Sequence, residues 1–383
     1  MKERVANNYG SFPVVFTKGK GAQLRDIHGK EYIDFVSGIG VNCLGHNHPA
    51  LVTAIQKQVE KQIHISNYYI SDVGVSYTDA LLKATEMEGV FYCNSGAEAN
   101  EAAIKLARKY GFGIQAQKKT IVTLKQSFHG RTLTTLSATG QEKFHPESFA
   151  PYTPDFKHMK ANDYAALDFI DASVCAIMIE AVQGEGGVNL IDADWAQALE
   201  KKAREVDALF IVDEVQTGMM RTGSLLASTT LGINPDIITL AKGIAGGVPM
   251  GACLFRGRAK DVFVAGDHQS TFGGNPLALA AAKAVLKEIN TESMQNHVIK
   301  MGEKIQNTIR SWNLDIIQEV RGRGLMIGID INFEAAPFQK ACLDNGLCVT
   351  TAGPKTLRFL PPLIISEAEI ETGLAIFREV LTA

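Results

Sequence analysis

The 383-residue sequence contains no long apolar run and no excess of charge of either sign. Its longest nearly uncharged apolar stretch, residues 245–255, is too short to span a bilayer. Lys and Arg number 38 and Asp and Glu number 41, and a net charge of −3 gives no general attraction to nucleic acid or to an anionic membrane. Residues 1–10 have no apolar signal core, so we expect a cytoplasmic protein.

Disulfide and repeat signals are also absent. The six cysteines form no C-x-x-C pair, which favours free buried thiols in a reducing compartment. Repeats, low-complexity segments and Pro/Ser-rich linkers are missing, so we expect two or three domains that share an interface. Apolar residues make up 46% and charged residues 21%, which argues against a disordered or fibrous chain.

The centre of the chain alternates short apolar runs with helical patterns. Runs with little polar alternation occupy residues 90–93, 120–124, 176–179, 209–212, 237–240 and 251–255. Such strands are covered on both faces, which is typical of a mainly parallel sheet between helices. Helical patterns occupy about 97–110, 194–206 and 275–289, and the last begins with Asn275 as N-cap followed by Pro276. We therefore predict an α/β fold with a large domain at 51–290.

The pattern changes after about residue 290. An amphipathic helix precedes a strand at 325–331, a short helix near 335–345 and two extended pieces. A last helix opens with a capping box from Ser366 to Glu369. These features predict a smaller α+β domain at 291–383, to which the N-terminal segment 1–50 contributes.

The first segment that could form a ligand site follows the run 90–93. Ser95, Gly96 and Ala97 open a helix, and Ser95 and Glu98 have the spacing of a capping box. A hydroxyl and free backbone N–H groups at the N-terminus of a helix can bind phosphate. A plain helix start is the common alternative.

Two further segments follow buried runs. Asp213 and Glu214 come directly after residues 209–212, at the edge of the sheet where α/β proteins bind ligands. These acids can bind a metal or cap a helix, or the Asp can pair with a protonated ring nitrogen. Lys242 ends the run 237–240 beside several glycines. A lysine in an apolar, glycine-lined site suits Schiff-base chemistry, and an ordinary surface lysine is the alternative.

A Schiff-base lysine, an Asp for a pyridinium and a helix N-terminus for a phosphate describe one cofactor, pyridoxal 5'-phosphate. With these residues, with LGHNHP at 44–49 and with LRFLPP at 357–362, nearly the whole sequence resembles the class III aminotransferases. The resemblance implies a pyridoxal-phosphate-dependent transferase of fold type I and a homodimer with shared active sites. Within the family the sequence is most similar to enzymes of arginine biosynthesis, which transfer the δ-amino group of N2-acetylornithine to 2-oxoglutarate.

The resemblance also implies roles toward the cofactor. Lys242 would be the catalytic lysine, which binds the cofactor and carries a proton at the substrate carbon. Asp213 would pair with the pyridine nitrogen, Gln216 would bond the ring hydroxyl, and Phe128 would stack on the ring. From the residues alone, a core phenylalanine is the favoured interpretation of Phe128. The implied phosphate-binding residues are Ser95, Gly96, Ala97 and, for the phosphate of the neighbouring subunit, Thr271.

Substrate contacts are implied in the same way. Arg131 would clamp the α-carboxylate of the amine substrate, and Ser270 would be a further contact. Arg358 would receive the α-carboxylate of glutamate, and Glu185 would pair with Arg358 when that carboxylate is absent. Such a pair would let one site accept two different substrates. Surface ion pairs are the alternative for these charges, and Glu180 is a second acid near the ring.

Several alternatives remain open. His46 and His48 have the spacing of a metal site, although a structured turn is favoured and we expect no metal. His129 is expected to be a neighbour of the cofactor and not the catalytic base. Ornithine δ-aminotransferases are expected to have a tyrosine in the segment that matches 37–42, where this sequence has no aromatic residue. Other substrates are open: free ornithine, a succinylated amine or another ω-amino acid. Other functions are open as well: aminomutase or decarboxylase chemistry, or a regulator without activity.

Overall fold

The computed structural model describes residues 5, 6 and 8–383. The strands, in chain order, are β1 (Phe16–Lys20), β2 (Gln23–Asp26), β3 (Glu31–Asp34), β4 (Gly89–Cys93), β5 (Thr120–Leu124), β6 (Phe156–Met159), β7 (Val174–Ile179), β8 (Val182–Gln183), β9 (Asn189–Leu190), β10 (Leu209–Asp213), β11 (Ile237–Leu240), β12 (Gly251–Phe255), β13 (Ile317–Arg323), β14 (Met326–Ile331), β15 (Leu347–Cys348), β16 (Thr350–Thr351) and β17 (Thr356–Phe359).

Helices connect and cover these strands. They are α1 (Ser37–Gly40), α2 (Pro49–Lys61), α3 (Asp72–Thr85), α4 (Gly96–Ile114), α5 (Leu133–Ala138), α6 (Ala193–Glu205), α7 (Ala227–Thr230), α8 (Pro276–Ile289), α9 (Glu292–Ser311), α10 (Ala335–Asp344) and α11 (Glu367–Thr382). Short 3-10 turns occur at Glu142–Phe144, Glu147–Phe149, Tyr164–Phe169, Lys242–Ala245 and Gly257–Ala259. Within the described chain, no helix combines the length and the apolar character needed to cross a bilayer.

A seven-stranded sheet forms the centre, in the order β4-β12-β11-β10-β7-β5-β6. The pairs β11/β10, β10/β7, β7/β5 and β5/β6 are parallel, which confirms the predicted mainly parallel sheet. β12 is antiparallel to both of its neighbours. The sequence did not predict this reversal, because an unbroken apolar run indicates burial on both faces but not the direction of the strand.

Both faces of this sheet are buried against helices, as the uninterrupted apolar runs require. Met178 on β7 lies in the same apolar cluster as Leu106 of α4. Ile179, the next residue, lies in the cluster that contains Trp195 of α6, because successive side chains point to opposite faces of a strand. Asn275 caps α8 and accepts the amide of Ala278 at 2.9 Å, as predicted.

The C-terminal part forms a second sheet, in the order β13-β14-β17-β16, and helices α9, α10 and α11. The predicted capping box between Ser366 and Glu369 is present at the start of α11. A third sheet joins β1, β2 and β3 to β15, with Leu347 opposite Ile33. This pairing joins the first 50 residues to the C-terminal part of the chain, and the domain bounds at residues 50 and 290 stay a prediction.

Candidate active site

A cavity of about 440 Å³ lies where several strands of the central sheet end. Eight of the predicted site residues line it: Ser95, Gly96, Ala97, Phe128, Arg131, Asp213, Gln216 and Lys242. Asp213 ends β10, and Lys242 follows β11, the parallel neighbour of β10. The carboxyl ends of neighbouring parallel strands meet at one edge of a sheet, so the topology brings these two residues to the same cavity.

Lys242 begins the 3-10 turn Lys242–Ala245 and has a backbone φ of 46°. This left-handed conformation is unfavourable for a residue with a Cβ, at a cost on the order of 1 kcal/mol or more, and such strain concentrates at functional sites. Burial lowers the pKa of the Lys242 amine, and the negative charge of Glu185 offsets part of this effect. A lysine with a lowered pKa is more often uncharged and therefore nucleophilic.

Asp213 is buried, with 3% of its surface exposed, and its carboxylate lies within hydrogen-bond distance of nitrogen atoms of three residues. Oδ2 accepts Nδ2 of Asn100 at 2.8 Å and lies 2.8 Å from Nδ1 of His129. Oδ1 accepts the amide of Val215 at 3.0 Å. The same carboxylate is the group that could accept the N–H of a protonated ring nitrogen.

The N-terminus of α4 forms another side of the cavity. Ser95 is the N-cap and its Oγ accepts the amide of Glu98 at 3.2 Å, as predicted. The reciprocal half of the predicted capping box is wrong, because the Glu98 carboxylate accepts the amide of Asn94 at 2.6 Å instead of that of Ser95. The first amides of a helix have no partner within the helix, so the amides of Gly96 and Ala97 are suited to a phosphate.

Glycine at position 96 lets this helix start approach the loop after β10. A Cβ added to Gly96 would lie 2.8 Å from Cγ1 of Val215, closer than carbon atoms pack. Val215 itself lies between Asp213 and Gln216, so the close approach holds the helix N-terminus beside the groups that would face the ring. This arrangement fits one ligand with a phosphate at one end and a basic ring nitrogen at the other.

Phe128 and Glu180 come from the loops after β5 and β7. Oε1 of Glu180 accepts the amide of Phe128 at 2.8 Å, and Oε2 accepts the amide of Gly184 at 3.3 Å. Burial raises the pKa of Glu180 to about 7, because the charged form is poorly solvated there. The Arg131 guanidinium lies 3.9 Å from the ring centre of Phe144 and 5.4 Å from that of Phe128. The Arg131 side chain is otherwise exposed, which leaves donors for a carboxylate.

Arg358 on β17 is only 1% exposed, so the reading of this residue as a surface charge is wrong. Its Nη1 donates to Oε1 of Glu185 at 2.7 Å, to the carbonyl of Gly184 at 2.7 Å and to Oε1 of Gln216 at 3.0 Å. Burial disfavours the charged form of Glu185, but Arg358 and Lys242 outweigh it and the pKa of Glu185 is lowered. Gln216 therefore links this ion pair to the cavity that contains Lys242.

Ser270 and Thr271 lie outside the lining of the cavity. Oγ of Ser270 accepts Nδ2 of Asn94, which does line the cavity, at 3.1 Å. Nδ2 of Asn67 donates to the carbonyls of Ser270 and Gly273 at 2.8 and 3.0 Å and so fixes the loop between them. Thr271 in this loop is exposed, and its predicted role toward a neighbouring subunit stays a prediction.

Asn94 and Asn100 also line the cavity, and the sequence alone assigned neither of them a role. The sequence held a signal for Asn100, since this polar residue stands among the alanines that open α4. The structure buries it to 1% exposure. Glu214, next to Asp213, accepts the amides of Ala227 and Ser228, at 3.0 and 2.7 Å, and so holds a loop.

The predicted turn at His46 and His48 is held by a bond between Nε2 of His46 and Oδ2 of Asp34, at 2.8 Å. The chain also forms a bridge there, between His46 and Gly21. Among the described residues, no group of His, Cys, Asp and Glu has the arrangement of a metal site. All six cysteines are free and buried, as expected.

A lysine amine, a carboxylate and a helix N-terminus that face one cavity at the carboxyl edge of an α/β sheet define a transferase of the pyridoxal-phosphate type. The sequence matches the family described as Aminotransferase class-III over residues 4–381. The chain belongs to this family, and the predicted family and fold class are confirmed.

Among its relatives is the acetylornithine aminotransferase of Caldanaerobacter subterraneus subsp. tengcongensis, which is 44% identical over 386 residues and aligns with 100% of this chain and 98% of its own. The crystal structure of N-acetylornithine aminotransferase from Stenotrophomonas maltophilia K279a is 34% identical, with a TM-score of 0.86 and coverage of 98% and 97%. An ornithine aminotransferase structure from Toxoplasma gondii, described with partial occupancy of PLP at the active site, is 31% identical, with a TM-score of 0.94 and coverage of 99% and 92%.

Proposed function

We propose that this enzyme transfers the δ-amino group of N2-acetylornithine to 2-oxoglutarate. The products are N-acetylglutamate 5-semialdehyde and glutamate, the cofactor is pyridoxal 5'-phosphate, and the reaction is a step of arginine biosynthesis. The observation that carries the proposal is the meeting of Lys242 and Asp213 at one cavity, beside the Arg358–Glu185 pair. The full-length similarity to acetylornithine aminotransferases supports the choice of substrate.

The residues present fit this cofactor. Lys242 is the amine that would bind its aldehyde, Asp213 would accept the ring N–H, and the amides of Gly96 and Ala97, with Ser95, would bind its phosphate. When bound, pyridoxal phosphate supplies an electron sink for the carbanion at the amine-bearing carbon of the substrate. Nζ of Lys242, whose pKa burial lowers, is the group that accepts and returns the proton at that carbon.

Two arginines would bind the two substrates. Arg131 would hold the α-carboxylate of N-acetylornithine. A substrate bound in this way would place its distal amine, and not its α-nitrogen, beside Lys242. Arg358 would hold the α-carboxylate of glutamate or 2-oxoglutarate, in place of the Glu185 carboxylate that is 2.7 Å away in the structure. A guanidinium binds either carboxylate with the same fork of N–H groups, so exchange of one for the other lets a single site serve both substrates.

Free ornithine is the second candidate substrate, since ornithine aminotransferases are among the similar structures. Val41, in the segment where those enzymes are expected to have a tyrosine, lines the cavity. An aliphatic side chain leaves room for an acyl group on the α-nitrogen, which favours the acylated amine. An acetyl and a succinyl group would both use this space.

We further propose a cytoplasmic homodimer in which Thr271 reaches the active site of the neighbouring subunit. The loop with Thr271 adjoins exposed apolar side chains that a second copy would cover. Tyr68, Tyr69 and Ile70 are 84%, 72% and 86% exposed, and Phe272 is 63% exposed. Asn67 joins these two segments through its bonds to the carbonyls on either side of Thr271. Exposed apolar patches of this kind mark interaction surfaces.

The proposal is tested by visible absorbance of the cofactor-loaded protein during addition of N-acetylornithine without keto acid, and then of ornithine. Loss of the band of the bound cofactor with N-acetylornithine, and its return with 2-oxoglutarate, is expected and would show both half-reactions. A response to free ornithine alone would assign the ornithine activity instead. A band that neither amine changes would leave the family membership intact and reject both substrates.

A further inference from the structure

The turn between β8 and β9, residues 184–188, carries Glu185 and lies directly on the C-terminal sheet. We call it the Glu185 turn. A Cβ added to Gly328 of β14 would lie 2.9 Å from Cβ of Val188 and 3.3 Å from the carbonyl oxygen of Gly187. A side chain at position 328 would therefore displace the turn, and glycine there lets the turn pack against the sheet.

Two arginines flank this glycine. Gly328 is paired with Arg321 on β13 and with Arg358 on β17. Side chains of directly paired residues project from the same face of a sheet. The three residues therefore form one row across the sheet, and the Glu185 turn lies over the middle of this row.

The arginines bind the backbone of the turn on either side of Glu185. Nη1 of Arg358 donates to the carbonyl of Gly184 at 2.7 Å. Nε and Nη2 of Arg321 both donate to the carbonyl of Gly187, at 3.0 and 2.5 Å. The backbone before and after Glu185 is thus attached to the C-terminal sheet, while the Glu185 side chain itself is partly exposed.

The guanidinium of Arg321 is itself fixed in place. Its Nη1 and Nη2 donate to the two carboxylate oxygens of Asp330 at 2.7 and 2.9 Å, and Asp330 also accepts Oγ1 of Thr356 at 2.6 Å. Nη1 also donates to Glu319 at 2.7 Å. Together with the bonds to Gly187, these contacts give every N–H group of Arg321 an acceptor, which a lysine amine cannot reproduce.

We propose that Arg321 is a positioning residue for the selection of substrates, because its bonds to Gly187 keep the Glu185 carboxylate in competition with substrate carboxylates for Arg358. It touches neither substrate nor reacting atoms in this role. The Glu185 turn would otherwise be attached to the row by Arg358 alone, the residue that a substrate is expected to engage. The inference rests on the proposed exchange of carboxylates at Arg358.

The test measures the affinity for glutarate, which has two carboxylates and no group that can react. Its dissociation constant is measured by calorimetric titration of the cofactor-loaded protein. Arg321→Lys keeps the positive charge but loses the fork that binds Asp330 and Gly187 together. With a less firmly held turn, Glu185 competes less well for Arg358, so we expect this variant to bind glutarate at least about threefold more tightly.

The comparison with Glu185→Gln separates this role from a general structural one. We expect Glu185→Gln to bind glutarate roughly tenfold more tightly, because the competing charge is gone. Adding Arg321→Lys to Glu185→Gln should give no further gain, since the carboxylate through which Arg321 acts is absent. A loss of stability alone would lower the melting temperature of both Arg321→Lys variants and would not produce this dependence on Glu185.

Two further variants complete the set. Gly328→Ala disturbs the same row without a change of charge, since its Cβ meets Val188, and should also tighten glutarate binding only where Glu185 is present. Glu319→Gln is the control. Glu319 is 58% exposed, so water can replace its bond to Arg321, and the variant should bind glutarate like the original protein.

Each outcome is decisive. Tighter binding by Arg321→Lys that vanishes in the Glu185→Gln background supports the positioning role. Original or weaker affinity in Arg321→Lys, or an equal gain in both backgrounds, overturns it. If Arg321→Lys does not fold, Gly328→Ala in the two backgrounds decides. Unchanged affinity in Glu185→Gln rejects the exchange at Arg358 and this inference with it, whereas tighter binding there and original affinity in Arg321→Lys reject only the inference.

Discussion

Nη1 of Arg358 and Oε1 of Glu185 are 2.7 Å apart, and the arginine is almost completely buried. Removing a charge from water is costly unless a partner compensates it, so Glu185 stabilises an arginine that would otherwise be an unpaired buried cation. The side chain of Glu185 is still 26% exposed. The pair therefore combines a fixed cation with a carboxylate that solvent can reach. A site in which a substrate carboxylate replaces that of Glu185 needs both.

Glu185→Gln should favour the substrate that uses Arg358. The amide keeps the shape of Glu185 but removes the negative charge that, in the proposed exchange, competes with the α-carboxylate of glutamate. We expect kcat/KM for glutamate to rise relative to that for N-acetylornithine by roughly tenfold, measured from single half-reactions. Glu319→Gln, at an ion pair with Arg321 where the acid is 58% exposed, is the matched control and should leave the ratio unchanged. An equal effect on both substrates would reject the exchange.

Lys242→Ala should abolish turnover, with a loss of at least about a thousandfold, because no other amine is assigned to carry the substrate proton. The visible spectrum of the loaded protein should change as well, since the variant has no amine at this position to bind the aldehyde. Lys201→Ala on the exposed side of α6 is the control and should behave like the original protein. Full activity of the Lys242 variant would remove the basis of the assigned function.

Sequence patterns predicted those elements whose cause is local. The strands at 120–124 and 237–240 have the predicted bounds, because β-branched and apolar residues make up both segments. Asn275 and Ser366 start helices by direct side-chain capping, which a short motif encodes. The helix α3 was not predicted, although Ser71 caps it and Tyr77, Leu81 and Thr85 recur at helical spacing on its buried side.

Other features depend on contacts between distant parts of the chain. Asn100 meets Asp213 only because α4 packs against the sheet beside β10, and no local pattern encodes that packing. The Glu98 carboxylate likewise accepts the amide of Asn94 and not that of Ser95, and the capping motif does not distinguish these two adjacent amides. The positions of the cavity residues could therefore be predicted from motifs, whereas the bonds between them required the fold.

Thr271 provides a test of the shared active site. If Thr271 acts on the neighbouring subunit, a mixed dimer of one Lys242→Ala chain and one Thr271→Ala chain has one fully intact site. That site takes its lysine from the second chain and its threonine from the first. We expect the purified mixed dimer to bind cofactor at this site with the original affinity, whereas the Thr271→Ala homodimer binds more weakly. Weak binding by both would place Thr271 at the site of its own chain.

The raised pKa of Glu180 predicts a pH-dependent stability. Between pH 4.5 and about 7 the folded protein holds a proton that the unfolded chain releases, so stability from this group falls as pH rises through that window. Glu180→Gln imitates the protonated form at every pH. Without cofactor, the melting temperature of the variant should exceed that of the original protein by more at pH 8 than at pH 5. Glu60→Gln, at an exposed position on α2, should show no such trend.

Val41 tests the choice between the two amine substrates. The acyl group of N-acetylornithine needs space near the α-nitrogen, and Val41 is part of the cavity wall. Val41→Tyr should lower kcat/KM for N-acetylornithine at least about tenfold more than that for free ornithine, because a ring in this position fills the space that the acyl group needs. Val41→Ala keeps the space and should retain the original preference. A tyrosine variant that still prefers the acetylated amine would show that the acyl group lies elsewhere in the site.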